Sequence, residues 1–140
     1  MRIIFLIIMI SISLHSEEYD YKKIMNQYEY MSVKKAMIKW NLPKLDTKKQ
    51  SVADFKKMID DKDKTNHLIF LAQQKKYIGS ERKVVTDALG DPSSYFFSEQ
   101  NASYELVKID DNQWVVSFEV SSDQIVRSIK IAKKCCYEVQ

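Results

Sequence analysis

The chain has 140 residues, 45% of them hydrophobic and 29% charged, with a net charge of +3 and only two glycines. That length suits one domain with a modest core, and two glycines exclude a Gly-rich phosphate loop. The only cysteines, Cys135 and Cys136, are adjacent, which excludes a disulfide framework of the small secreted kind.

Met1 and Arg2 precede an apolar run, Ile3 to Leu14, and Glu17-Glu18 open a polar region. A basic start, a short apolar stretch and small residues beyond it are the pattern of a secretory signal peptide. Cleavage is expected after Ser13 or Ser16, and the product is expected in a periplasm or outside the cell. Spanning a bilayer takes about 20 apolar residues, more than this run supplies. Residues 17–78 carry 14 lysines against nine acids, whereas residues 79–140 carry seven basic residues against ten acids. A basic half can favour anionic partners. Acids interrupt these lysines, however, and the three arginines, Arg2, Arg82 and Arg127, are too few for a nucleic-acid reader.

Residues 17–40 read as a helix with a break near Ser32. Tyr21, Ile24, Met25 and Tyr28, then Val33, Ala36, Met37 and Trp40, recur at helical spacing. Tyr19 and Tyr30 fit its buried face less well. Residues 41–50 read as a polar linker, so residues 17–50 form an extension ahead of a domain over 51–140. Ser51 is the expected N-cap of a short helix whose apolar face is Val52, Phe55, Met58 and Ile59, with Asp54 completing a capping box. Asp60 to Lys64 read as a solvated turn. The next helix is expected from Thr65 to Ile78, with Thr65 as its cap and Gly79 as its stop.

Gly79-Ser80 and Gly90-Asp91-Pro92 bracket a further helix. Ser80 is the expected cap, Val84, Val85, Ala88 and Leu89 the buried face, and Gly90 an αL terminator. Pro92 prevents continuation. From Tyr95 the period becomes two. Strands are expected at Tyr95–Phe97, Ser103–Ile109, Gln113–Val120 and Ile125–Ile131, joined by short turns into an antiparallel meander. Trp114, Val116, Phe118 and Val120 share one face, and Ile125, Arg127, Ile129 and Ile131 share another. The expected fold class is α+β, with N-terminal helices packed on one face of a three- to four-stranded antiparallel meander.

The segment from Asn66 to Ile131 resembles the BamE (SmpA/OmlA) family of small envelope modules. The resemblance rests on Gly79-Ser80, Val84 and Val85, Leu89-Gly90-Asp91-Pro92, Tyr104-Glu105-Leu106, Val116-Ser117-Phe118-Glu119 and Ile125-Val126. It implies a helix pair followed by a three-stranded meander, as in the β-lactamase inhibitor protein fold. It also implies an exported protein that binds a protein or envelope component and performs no chemistry. Two departures stand beside it. The family carries a lipidated cysteine after its leader and this chain has none there, and residues 17–64 precede the family pattern.

For chemistry the residues offer little. His67 is the one histidine beyond the leader and reads as a boundary residue at a helix start. Metal sites need several converging ligands, and Asp60, Asp61 and Asp63 lack the glycine and terminal glutamate of a calcium loop. No metal, cofactor or catalytic residue is expected. Cys135 and Cys136 read as free thiols or as partners in a disulfide. Asn101-Ala102-Ser103 matches a glycosylation acceptor and is expected at a hairpin turn. The expected binding residues are Tyr95, Phe96 and Phe97, because three consecutive aromatics on a strand cannot all face one core. Two functions fit these residues: a binding or scaffold module, or an inhibitor or immunity-type protein that occludes a partner enzyme.

Overall fold

The computed structural model describes residues 29–42 and 44–133. The expected leader, residues 17–28 of the expected first helix, and Cys135-Cys136 lie outside the described residues. One compact unit begins at Tyr30 and holds every element below. Its order is β1 (Tyr30–Met31), α1 (Val33–Lys39), α2 (Thr47–Ser51), a 3-10 turn (Phe55–Lys57), α3 (Asp61–Gln74), α4 (Arg82–Leu89), then β2 (Ser94–Phe96), β3 (Ser98–Glu105), β4 (Trp114–Val120) and β5 (Val126–Lys133). The fold is α+β, with helices on a purely antiparallel sheet. The sheet has five strands in the order β1-β5-β4-β3-β2, one more than the meander requires. No helix among the described residues is long and apolar enough to cross a membrane.

Chain entry differs from the sequence expectation at its first element. Tyr30 and Met31 pair with Ala132 and Ile131 of β5 rather than extending a helix. Ser32 then caps α1, its hydroxyl accepting from the Lys35 amide at 3.2 Å. The break at Ser32 is thus a switch from strand to helix. Residues 41–50, expected as a linker, run within the compact unit. Leu42 and Leu45 pack on the core, and Asp46 caps α2.

Aspartates start the next elements as well. Asp54 caps the 3-10 turn and Asp60 caps α3, each carboxylate accepting from the amide two residues on. Asp caps a helix as well as Ser does, so Ser51 and Thr65 are not the caps. Ser51 instead closes α2, and the expected helix after it shrinks to one turn. Val52 and Ile59 are consequently 84% and 92% exposed, and Phe55 alone of that face packs well inward. Helix α3 begins four residues earlier than expected, because Asp61 and Asp63 suit the positive end of the helix dipole. It ends at Lys75, which takes the left-handed conformation at φ 51°, so Gly79 closes the following turn and not the helix.

The core lies between these helices and one face of the sheet. Ala36 and Trp40 of α1, Leu68, Ile69, Leu71 and Ala72 of α3, and Val85 and Leu89 of α4 meet Ala102, Tyr104, Trp114, Val116, Phe118 and Ile131. Fully burying one such side chain is worth about 1.5–3 kcal/mol. Val84 stays largely exposed. Trp114, Val116, Phe118 and Val120 do share the core face. On β5 the alternation breaks: Val126 is buried beside Ile131 while Arg127 is exposed. A β-bulge where Glu119 and Val120 face Ser128 and Val126 explains it, since one extra residue flips the faces that follow.

Two side chains secure the chain after β3. The Val107 amide donates to Thr65 Oγ1 at 2.8 Å, and the Val107 carbonyl accepts from Trp40 Nε1 at 2.8 Å. Thr65 is therefore a buried anchor of this segment, not a helix cap.

Candidate functional site

The three expected binding residues divide among three environments. Tyr95, on edge strand β2, is 54% exposed. Phe96 is buried, and its ring meets Tyr30 edge to face with centroids 6.0 Å apart. Phe97 is half-buried at φ 66°, a left-handed conformation that costs a bulky residue energy. It sits between Phe96 and Ser98, which pair with each other. Only Tyr95 presents a large exposed surface.

Asn101 lies inside β3 rather than at a turn, and it is buried. Its Nδ2 donates to the Phe96 carbonyl at 3.1 Å, and its Oδ1 accepts from the Val120 amide at 2.9 Å. Both ends of the side chain are thus occupied, which removes it as a glycan acceptor in the folded protein. These bonds tether β2 and β4 to β3 and hold the strand that carries Tyr95.

The punctuation residues do structural work different from that expected of them. Ser80 does not cap α4; Glu81 precedes the helix and makes no side-chain cap bond. Gly79 and Ser80 instead lie along β5. The Gly79 amide donates to the Val126 carbonyl at 2.8 Å, and the Val126 amide donates to the Ser80 carbonyl at 2.9 Å. Gly90 has a positive φ of 83° with ψ −172°, outside the αL region and in one essentially reserved for glycine. Its carbonyl accepts from the Tyr104 hydroxyl at 2.9 Å. Burial pushes the Tyr104 phenol well above its ordinary pKa, so it stays a donor. Pro92 is half-buried beyond this turn.

His67 is buried in the middle of α3 and is not a boundary residue. Its Nδ1 stands 2.9 Å from Gln50 Oε1, an acceptor that requires the proton on Nδ1. The ring lies between Phe55 and Phe70, with centroids 6.0 and 6.1 Å away. Burial lowers its pKa. No group of three or more His, Cys, Asp or Glu side chains that could hold a metal occurs among the described residues.

A second surface escaped the sequence reading. A cleft of about 530 Å³ opens between β1, the C-terminal end of α3 and the outer edge of β5. Lys75, Arg127 and Lys130 are its charged lining residues, beside Met31, Ile78 and Ile129. Arg127 Nη2 donates to Asp123 Oδ2 at 2.7 Å. The Asp123 carboxyl is held below its usual range, first by the Ser121 hydroxyl and then by Arg127. Lys130 Nζ sits 5.5 Å from the Tyr30 ring centroid. The lysine doublet at 75–76 was visible in the sequence, but its neighbours come from distant parts of the chain.

Compared with known proteins, the chain matches no family model, no curated protein and no solved structure.

Proposed function

We propose that this protein is an exported, non-catalytic binding module of the bacterial envelope, whose partner is a protein or another envelope component. The observation that carries the reading is Tyr95, an aromatic 54% exposed on an edge strand. Exposed tyrosines are frequent anchors of protein interfaces. The leader at residues 1–16 supports export. The helix pair α3–α4 followed by the meander β3–β4–β5 is the order that a resemblance to the BamE-type binding modules implies.

Capture of partners from an envelope extract tests the proposal, with wild type and Tyr95→Ala as baits. The expected result is a partner retained by wild type and lost with Tyr95→Ala, both proteins having the same melting temperature. Undiminished capture by Tyr95→Ala would overturn the role of Tyr95. A captured secreted hydrolase that loses activity on binding would replace the scaffold reading with the inhibitor reading.

A further inference from the structure

The outer edge of β5 is incompletely paired, and the gap can be located by hydrogen-bond parity. The Leu106 amide donates to the Trp114 carbonyl at 2.9 Å, so Trp114 turns its peptide groups toward β3. Alternate residues of an antiparallel strand bond to opposite neighbours. Val115, Ser117 and Glu119 therefore turn toward β5, where they face Ala132, Lys130 and Ser128. It follows that Ile129 and Ile131 of β5 turn their N–H and C=O outward. Ile131 is opposite Met31 of β1. Val126, beyond the bulge, is satisfied by Gly79 and Ser80. Between these two pairings, none of the turn and loop backbone hydrogen bonds among the described residues reaches Ile129.

This gap opens into the cleft already described, and the chemistry around it has one sign. Lys75 approaches from the helix side of the sheet and Lys130 from the opposite side, where it lies over Tyr30. Arg127, ion-paired with Asp123, closes one end, and no acidic side chain among the described residues lines the cleft. A strand added to this edge would alternate its side chains between the two faces, and both faces would meet a lysine. Ile78, 43% exposed, offers an apolar contact on the helix side.

We propose that the gap at Ile129 takes a short, extended, acidic peptide segment by strand addition, a known mode of peptide recognition. Pairing to Ile129 supplies affinity without regard to sequence, and Lys75 and Lys130 select for carboxylates. Because β1 and the Gly79-Ser80 turn bound the gap, it admits only a few residues, which suits a chain end or the tip of a loop. The proposal rests on the binding-module reading and adds to it a second surface and a partner chemistry.

The test uses the ¹⁵N-labelled protein, produced with export, and a capped peptide alternating Glu and Val. Amide shifts are expected at Ile129 and at its neighbours in β1 and β5. A Lys-Val peptide should leave them unmoved, as should the Glu-Val peptide N-methylated at alternate amides. Lys75→Glu with Lys130→Glu, both exposed positions, should weaken the Glu-Val peptide about tenfold with the spectrum otherwise intact. Equal binding of the two peptides, no shift at Ile129, or shifts centred on Tyr95 would each overturn the proposal. Envelope capture separates its failure from that of the underlying reading. A partner kept by the charge-reversed protein but lost with Tyr95→Ala sinks the β5 site alone, and an extract yielding no partner for wild type sinks both.

Discussion

Tyr30 and Phe96 stand on the two opposite edge strands of the sheet, yet their rings meet at 6.0 Å and 83°. Four strand spacings in a flat sheet would separate those edges by about 19 Å. The sheet must therefore curl toward the face away from the helices. Small residues line the floor of that curl: Ala132, Ser103 and Ser117 are fully buried, and the two serine hydroxyls hydrogen-bond at 2.8 Å. The twist inherent in strands, the irregular pairing of β2 with β3 and the bulge in β4–β5 are the features that permit it.

The two rings should be energetically coupled. Phe96→Ala is expected to cost about 3–5 kcal/mol, the usual range for a buried phenylalanine. A double-mutant cycle with Tyr30→Leu, read by urea denaturation, should return a coupling of about 0.5–1.5 kcal/mol. Additive single effects would mean that the two edges close independently.

Gly90→Ala tests backbone strain in isolation. A Cβ there would meet nothing nearer than Lys56 Cγ at 3.9 Å, so sterics with neighbours contribute little. The φ of 83° with ψ −172° is what an L-residue resists, at a cost of about 1–3 kcal/mol. Gly90→Val should cost more, because a β-branched residue is worse still at positive φ. A melting temperature unchanged in both variants would contradict the conformation of this turn.

Stability should fall in mild acid through His67. Burial lowers its pKa below the ordinary 6.5, so the unfolded chain binds a proton more readily than the folded one. Stability then rises with pH between the folded and unfolded pKa values, and is fully present above about 6.5. Urea midpoints should drop from pH 7.5 to pH 5 in wild type, and drop less in His67→Phe. Parallel pH profiles would assign the acid sensitivity to other groups.

The Val107 clamp should be costly to open. Thr65→Val removes the acceptor for the Val107 amide, and Trp40→Phe removes the donor to its carbonyl. Leaving a buried polar group unpaired costs about 1–3 kcal/mol. Trp40→Phe also trims a residue that packs edge to face on Trp114. Denaturation midpoints of each variant should fall, and Lys62→Ala, at an exposed position on the first turn of α3, serves as the control. An undisturbed midpoint for Thr65→Val would show that water replaces the hydroxyl.

Periodicity placed the strand before β4 at Ser103–Ile109, but it lies at Ser98–Glu105; β4 with its core face and the helix between Gly79 and Gly90 follow the pattern. Each of those depends on residues within about two turns or one strand of each other, a range over which apolar spacing reports burial directly. Helix starts were less legible, because Asp46, Asp54 and Asp60 competed with Ser51 and Thr65 and local sequence ranks these caps alike. Of the three aromatics expected to bind, Tyr95 is exposed, but Phe96 is buried with its ring against Tyr30, 66 positions away.

The α+β class, the change from helical to strand period after Pro92 and the need for glycine at positions 79 and 90 are written into the order of residues. These follow from side-chain spacing and backbone sterics, which act locally. The tertiary structure alone decided that Tyr30–Met31 joins the sheet, that the sheet curls until its edges touch, and that Lys75 and Lys130 flank a gap at Ile129. Those outcomes depend on which strand edges find partners, and hydrogen-bond pairing between distant segments leaves no periodic trace in either segment.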